Sequence, residues 1–169
     1  MKLKENNSLY FVARAEELTL SATALSALMQ AALAKEAFFR FKAKGFSMQP
    51  FIKDGDIVTV SPANGAALGR GQTVAFIRPG GKLVIHRIVA CLENGYLIKG
   101  DSCFTNDGLV KKEDILGYVS EVKRNDRAIF LGLGRERVAI AVLSRIKILP
   151  CILWCWRLIP RRLRKKIVP

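Results

Sequence analysis

Short β-rich runs separated by turn signals occupy the middle of this chain, and they limit the folds open to it. The runs are AFFRFKAKG, DIVTVSP, GQTVAFIRP, KLVIHRIVACL, GYLIKGD and ILGYVSEVK. The turn signals are Asp54-Gly55, Pro79-Gly80-Gly81 and Asn94-Gly95, which favour tight reversals of the chain. Because no helix-length segment separates these runs, they predict a mainly β domain over 36–133, folded as a coiled β-barrel or coiled sheet.

Helical segments are predicted on both sides of this β domain. Residues 15–35 are rich in Ala, Leu and Glu and contain no Gly or Pro, which indicates an N-terminal helix within a segment 1–35. Its predicted buried stripe consists of Leu18, Leu25, Leu28 and Leu33. The segment 134–169 is apolar and basic, and we expect it to form a helical tail.

The charge of the chain points to an anionic partner. The net charge is +14, and six cations follow the apolar aromatic stretch ILPCILWCW directly. Basic residues beside apolar aromatic ones suit lipid headgroups better than a nucleic-acid groove. We therefore expect the C-terminal segment to bind a membrane surface, and we do not expect nucleic acid as a partner.

The manner of membrane attachment follows from the lengths of the apolar runs. A spanning helix needs about 18 or more apolar residues, whereas Arg145, Lys147 and Pro150 interrupt the apolar runs of the tail. The N-terminal residues mix charges throughout and lack the apolar stretch of a secretory signal. These patterns predict a peripheral or monotopic protein on the cytoplasmic face.

No metal or cofactor is expected. The four cysteines have no metal-binding spacing, and the chain contains a single histidine, so a zinc site is not predicted.

Three residue types suited to nucleophilic catalysis occur in order along the β domain. Ser47 lies in the bend of KGFSMQPFIKDGDIVTV, His86 lies within the strand KLVIHRIVA, and IKGDSCFTNDG carries Asp101 and Asp107. A serine hydroxyl becomes a nucleophile when an imidazole removes its proton and an acid orients that imidazole. The residues alone leave alternatives open, because His86 also suits an apolar core and both aspartates suit turns.

These stretches resemble a known family. GFSMQPFIKDGDIVTV is similar to the nucleophile box of type I signal peptidases and LexA-type self-cleaving proteins, and VIHRIVA with YLIKGDS resembles the second half of that box. Histidine within Ile-His-Arg-Ile resembles the branch found in endoplasmic-reticulum, archaeal and sporulation-type signal peptidases. The resembling region runs from about Lys44 to Val119.

The resemblance implies roles for individual residues. Ser47 is the implied nucleophile, His86 the general base and then acid, Asp107 the orienting acid and Asp101 a supporting carboxylate. Phe46, Met48 and Pro50 are the implied substrate-binding residues. Gly45 departs from the family, which has a serine there that can donate to the oxyanion.

The predicted function is a serine endopeptidase acting on a leader or signal-like peptide of a precursor protein. One alternative is a LexA-like regulator that cleaves its own chain. The other is a basic β-barrel that binds nucleic acid and uses Ser47 and His86 only structurally.

Overall fold

The computed structural model describes residues 10–12, 22–78 and 81–158. Its helices are α1 (Ala22–Ala34), α2 (Arg137–Arg145) and α3 (Ile148–Leu158). Its strands are β1 (Tyr10–Val12), β2 (Phe38–Lys42), β3 (Ile57–Pro62), β4 (Thr73–Arg78), β5 (Lys82–Leu92), β6 (Gly95–Lys99), β7 (Gly108–Val110), β8 (Ile115–Arg124) and β9 (Arg127–Ala128). The predicted mainly β fold, with a helix before the sheet and helices after it, is confirmed.

The strands form one sheet in the order β1-β2-β3-β8-β4-β5-β6-β7, and β9 pairs with β8. β1 pairs with β2 in parallel, and the other described pairs are antiparallel. No described strand joins β7 to β1, so the predicted barrel is corrected to an open, coiled sheet. Register shifts between Thr59 and Val60, Ala75 and Phe76, and Ile88 and Ala90 interrupt the ladders, and such bulges bend a sheet locally.

Apolar and polar residues alternate along β2, so one face of this strand lies on the core. Phe39 and Phe41 are buried, whereas Lys42 is exposed, because successive strand residues point to opposite faces. The two phenylalanines pack with α1, β3 and β8 in one core cluster. A second cluster lies between β4, β5, β6 and β8, and it includes Val74, Phe76 and Ile88.

The buried face of α1 differs from the predicted stripe. Met29 and Leu33 are buried and Leu25 packs against the same cluster, whereas Leu28 is 46% exposed. Adjacent helical residues differ by about 100° in direction, so Leu28 flanks the face that Met29 occupies. Leu18 lies outside the described residues.

Helix α2 packs on the sheet. Ile140, Ala141 and Ser144 are buried, and the buried Lys99 Nζ donates to Ser144 O at 2.7 Å and to Ser144 Oγ at 3.0 Å. Through this contact α2 is docked on the sheet, and the predicted division of the chain at residue 134 stays a prediction. Val138 and Val142 on the outer side of α2 are exposed, and so are Ile148, Ile152 and Trp154 of α3.

Among the described helices, none is long and apolar enough to cross a membrane by itself. Helices α2 and α3 meet that requirement only as a pair, and the pair is bent by 81°.

Candidate active site

Ser47 lies in the turn that connects β2 to β3. Gly45 opens this turn with φ of +102°, a conformation that favours glycine, and its N–H donates to Asp54 Oδ1 at 2.8 Å. Further along the turn, Gln49 N donates to Phe46 O at 3.2 Å. The turn thus has its own internal bonds, and Ser47 remains half-buried at its centre.

His86 lies in the middle of β5, opposite Val74 of β4. It is 5% exposed, and its ring packs 6.5 Å from the ring of Phe76. Nδ1 of His86 contacts Asp107 Oδ2 at 2.5 Å. Asp107 directly precedes β7, and its backbone N–H donates to Ile98 O at 2.9 Å. The carboxylate therefore fixes the tautomer of His86, with the proton on Nδ1 and a lone pair on Nε2.

Nε2 of His86 and the Ser47 turn meet at Gly100. A methyl group on Gly100 would lie 2.9 Å from His86 Nε2 and 2.8 Å from Ser47 O. The next loop residues hold the turn in place, since Ser102 N donates to Ser47 O at 2.9 Å and Ser102 Oγ donates to Phe46 O at 2.7 Å. Glycine at position 100 thus permits the close approach of the imidazole and the serine turn.

No hydrogen bond joins Ser47 Oγ to His86 among the described residues. Such a bond is often long in a serine peptidase without substrate and shortens when the peptide binds. The described contacts place the Ser47 turn, His86 and Asp107 near one another beside Gly100.

The charge state of His86 suits a general base. Burial lowers its pKa, the cations Arg78 and Lys99 lower it further, and the result is about 4. The contact with Asp107 acts in the opposite direction, but the guanidinium of Arg78 is paired with the other oxygen of that carboxylate. With a pKa of about 4 the ring is neutral at pH 7.

We expect the pKa of the His86 imidazole to be about 4, compared with its ordinary value of 6.5. Because the chain has a single histidine, NMR measures this midpoint without ambiguous assignment. Arg78→Gln should raise the pKa by about one unit or more, since it removes a cation and leaves Asp107 to His86 alone. Arg127→Gln, on the exposed strand β9, should leave the midpoint unchanged. Identical midpoints in the two variants would contradict this role of Arg78.

The same shift has a consequence for stability. Between pH 6.5 and about 4 the unfolded imidazole binds a proton that the folded one does not. The contribution of His86 to the free energy of unfolding therefore falls as the pH drops through that interval, by roughly 3 kcal/mol at most.

Asp101 has a different partner from the one that orients His86. It is fully buried, and both of its oxygens accept from Arg87, Oδ1 from Nε at 2.8 Å and Oδ2 from Nη2 at 2.7 Å. Burial raises the pKa of the Asp101 carboxyl, and the Arg87 guanidinium opposes that rise. Arg87 also donates to Gly71 O and Gly132 O. Asp101 thus anchors the loop that carries Gly100 and Ser102, as a supporting carboxylate would, and its predicted grouping with the catalytic residues stays a prediction.

The three predicted substrate-binding residues have different environments. Phe46 is 60% exposed beside Ser47 and offers apolar surface to a peptide. Met48 is buried in the core cluster of α1, β2 and β3, and its predicted place in a substrate pocket stays a prediction. Pro50 is exposed and follows a cis peptide bond.

Sequence reasoning missed Arg78 and Cys103. Arg78 is the last residue of β4 and resembles an ordinary cation at a strand end. Only the pairing of β4 with β5 shows that it lies beside Asp107. Cys103 Sγ lies 2.7 Å from the methyl position of Gly100, close to the site. Burial raises the pKa of the Cys103 thiol, so it is protonated at pH 7 and is a poor nucleophile.

The described residues contain no group of three or more His, Cys, Asp or Glu side chains that could hold a metal ion.

The fold is mainly β, and the Ser47 turn, His86 and Asp107 lie near one another beside Gly100, an arrangement that is compatible with a serine peptidase. The Peptidase S24-like family matches residues 10–116, more than half of the chain and the part that carries these three residues. The chain belongs to the Peptidase S24-like family. That family covers LexA-like and signal peptidase-like serine peptidases and also has non-catalytic members. No curated protein matches the chain significantly.

Proposed function

We propose that this protein is a serine endopeptidase that cleaves a leader or signal-like peptide through Ser47, His86 and Asp107. One observation carries the proposal: His86 has Asp107 on Nδ1 at 2.5 Å, while its Nε2 lies against the Gly100 that also contacts the Ser47 turn. A purely structural histidine would not need a buried acid on one nitrogen and a half-buried serine turn beside the other.

The first step is acylation. Ser47 Oγ attacks the carbonyl carbon of the scissile bond while its proton passes to His86 Nε2, and Asp107 stabilises the imidazolium that results. His86 then donates that proton to the leaving amine, and the C–N bond breaks. In the second step His86 takes a proton from water, the hydroxide attacks the acyl ester, and Ser47 recovers its proton as the acid product leaves.

The negative oxygen that develops on the carbonyl needs hydrogen-bond donors. Backbone N–H groups of the Ser47 turn are the available source, since neither Ser47 N nor Met48 N donates a hydrogen bond to another described residue. Gly45 supplies no side-chain hydroxyl, and its own N–H is committed to Asp54. One fewer donor is typically worth about 100-fold or more in rate, so we expect a slow peptidase that depends on its backbone donors.

The test combines covalent labelling with product analysis. Wild type, Ser47→Ala and the control Ser120→Ala are treated with acylating and phosphonylating serine probes and mapped by mass spectrometry. We expect a single label on Ser47 in wild type and in Ser120→Ala, whose exposed serine lies on β8. The same proteins are incubated with leader-derived peptides, and new termini are sequenced.

The outcomes separate the candidate functions. Cleavage of added peptides that needs Ser47 supports the endopeptidase. Cleavage of the protein's own chain at a rate independent of its concentration supports a LexA-like regulator, which belongs to the same family. Neither label nor cleavage, together with salt-dependent nucleic-acid binding that survives Ser47→Ala, overturns the proposal in favour of a binding protein.

A further inference from the structure

Helices α2 and α3 present an exposed apolar surface, here called the elbow surface. It consists of Val138, Val142 and Ile146 at α2 and Ile148, Ile152 and Trp154 at α3. Val138, Val142 and Ile146 are four residues apart, as are Ile148 and Ile152, so each set follows one side of its helix. The opposite side of α2 is buried against the sheet. An apolar surface of this extent is unusual on a soluble monomer and marks an interaction site.

The charge around the elbow surface is of one sign. The chain after Glu136 contains nine basic residues and no acidic residue. Among the described ones, Arg145 and Lys147 are exposed at the bend between the helices. Each cation held near an anionic leaflet adds about 1 kcal/mol of attraction. Apolar area, an exposed tryptophan and unopposed cations together match the interface of an anionic bilayer.

The geometry indicates a position in the plane of the membrane. Helix α3 has 11 residues, which gives a length of about 16 Å, roughly half of a hydrocarbon core. The pair is bent by 81°, so α3 leaves the line of α2 sharply. Trp154, which is 55% exposed, suits the headgroup level, where its ring and its N–H are both accommodated.

We propose that the elbow surface docks this protein on an anionic membrane leaflet as a peripheral protein, with the cytoplasmic leaflet as the source of the anionic lipid. The docked helix is continuous with the active site. The inner face of α2 is bonded to Lys99 through Ser144, and Lys99 ends the strand that leads into Gly100. Docking thus places Ser47 and His86 at a set distance from the bilayer.

The test uses the full-length protein and vesicles, and it needs no peptidase substrate, so it is independent of the proposed function. Flotation with vesicles of phosphatidylcholine alone is compared with vesicles that also contain phosphatidylglycerol, at low and high salt. We expect binding to the anionic vesicles that salt weakens. The double variant Ile152→Ser, Trp154→Ser should lower the affinity by roughly 30-fold or more, and Arg145→Ala with Lys147→Ala by about 30-fold.

Matched controls make the result specific. Leu92→Ser and Leu109→Ser remove comparably exposed apolar side chains from β5 and β7, Leu109 being 53% exposed, and they should not alter vesicle binding. An unchanged His86 titration in each variant shows that the site is intact. Deleting 138–169 is unsuitable, because it would strip Ile140, Ala141 and Ser144 from the core.

Three results would overturn the proposal. Equal binding to neutral and anionic vesicles would remove the role of charge. If Leu109→Ser weakened vesicle binding as much as the α3 double variant does, the elbow surface would not be the membrane-binding site. Absence of vesicle binding, with self-association that the α3 variant abolishes, would assign the surface to a second copy of this chain instead.

Discussion

Replacing Ser47 with alanine should lower kcat/KM for a cleaved peptide by at least about 10⁴-fold, because it removes the atom that forms the acyl bond. His86→Gln should cost nearly as much, since without an imidazole the hydroxyl keeps its proton. The double variant should be no slower than either single one, because nucleophile and base act as a unit. Steady-state kinetics on a fluorogenic peptide measure all three.

Asp107→Asn belongs in the same series and gives a separate signature. The amide can still contact Nδ1, but it favours the wrong tautomer and cannot stabilise the imidazolium. We expect a large loss in kcat with little change in KM. Ser120→Ala is the control and should retain wild-type kinetics. Activity that survives both Ser47→Ala and His86→Gln would rule out the proposed mechanism.

Asp101→Asn should lower the free energy of unfolding by about 3–5 kcal/mol, because it leaves the Arg87 guanidinium buried without a counter-charge. The carboxylate is fully buried and accepts two bonds from Arg87 at 2.8 and 2.7 Å. Arg87 in turn joins the carbonyl groups of Gly71 and Gly132. The change should therefore loosen both the Gly100 loop and the chain that leads into α2. Urea denaturation measures the loss as a lower midpoint.

A surface pair on the same sheet is the matched control. Arg40 and Glu121 form an ion pair at 3.2 Å with both side chains partly exposed, and Glu121→Gln should cost less than about 1 kcal/mol. Similar losses for Asp101→Asn and Glu121→Gln would show that the buried pair is not the structural anchor described above. If Asp101→Asn also lowers activity at temperatures where the variant remains folded, the anchored loop positions Ser47 as well.

The expected loss of activity at Ser47 and the expected loss of stability at Asp101 arise from different parts of the site. His86 Nε2 and Ser47 O both lie close to Gly100, whereas the Asp101–Arg87 pair holds the next residue of that loop. His86 and Arg87 are adjacent in β5 and point to opposite faces of the sheet, because side chains alternate along a strand. His86, the proposed general base, therefore lies on one face of the sheet, and Arg87, the partner of Asp101, lies on the other.

Most of the long strands and helix α1 could be predicted from the sequence alone. Turn dipeptides and β-rich runs predicted β2, β3, β4, β5, β6 and β8, and a Gly- and Pro-free segment predicted α1, because these signals act over a few residues. The short strands β1, β7 and β9 were not predicted, since two or three residues carry too little pattern. The interruptions by Arg145, Lys147 and Pro150 predicted that the tail is not a clean spanning helix, whereas the break between α2 and α3 was not predicted.

The contacts between residues that are distant in the sequence could be identified only from the tertiary structure. Asp101 and Asp107 share one loop, and spacing does not reveal that Arg87 holds the first while His86 contacts the second. Arg78 reaches Asp107 because β4 pairs with β5, and α2 joins the core because Ser144 meets Lys99, which is 45 residues earlier in the chain. Strand order and helix docking are non-local, since they follow from burying apolar surface across the whole domain. Local pattern therefore specified the strands, and packing specified their neighbours.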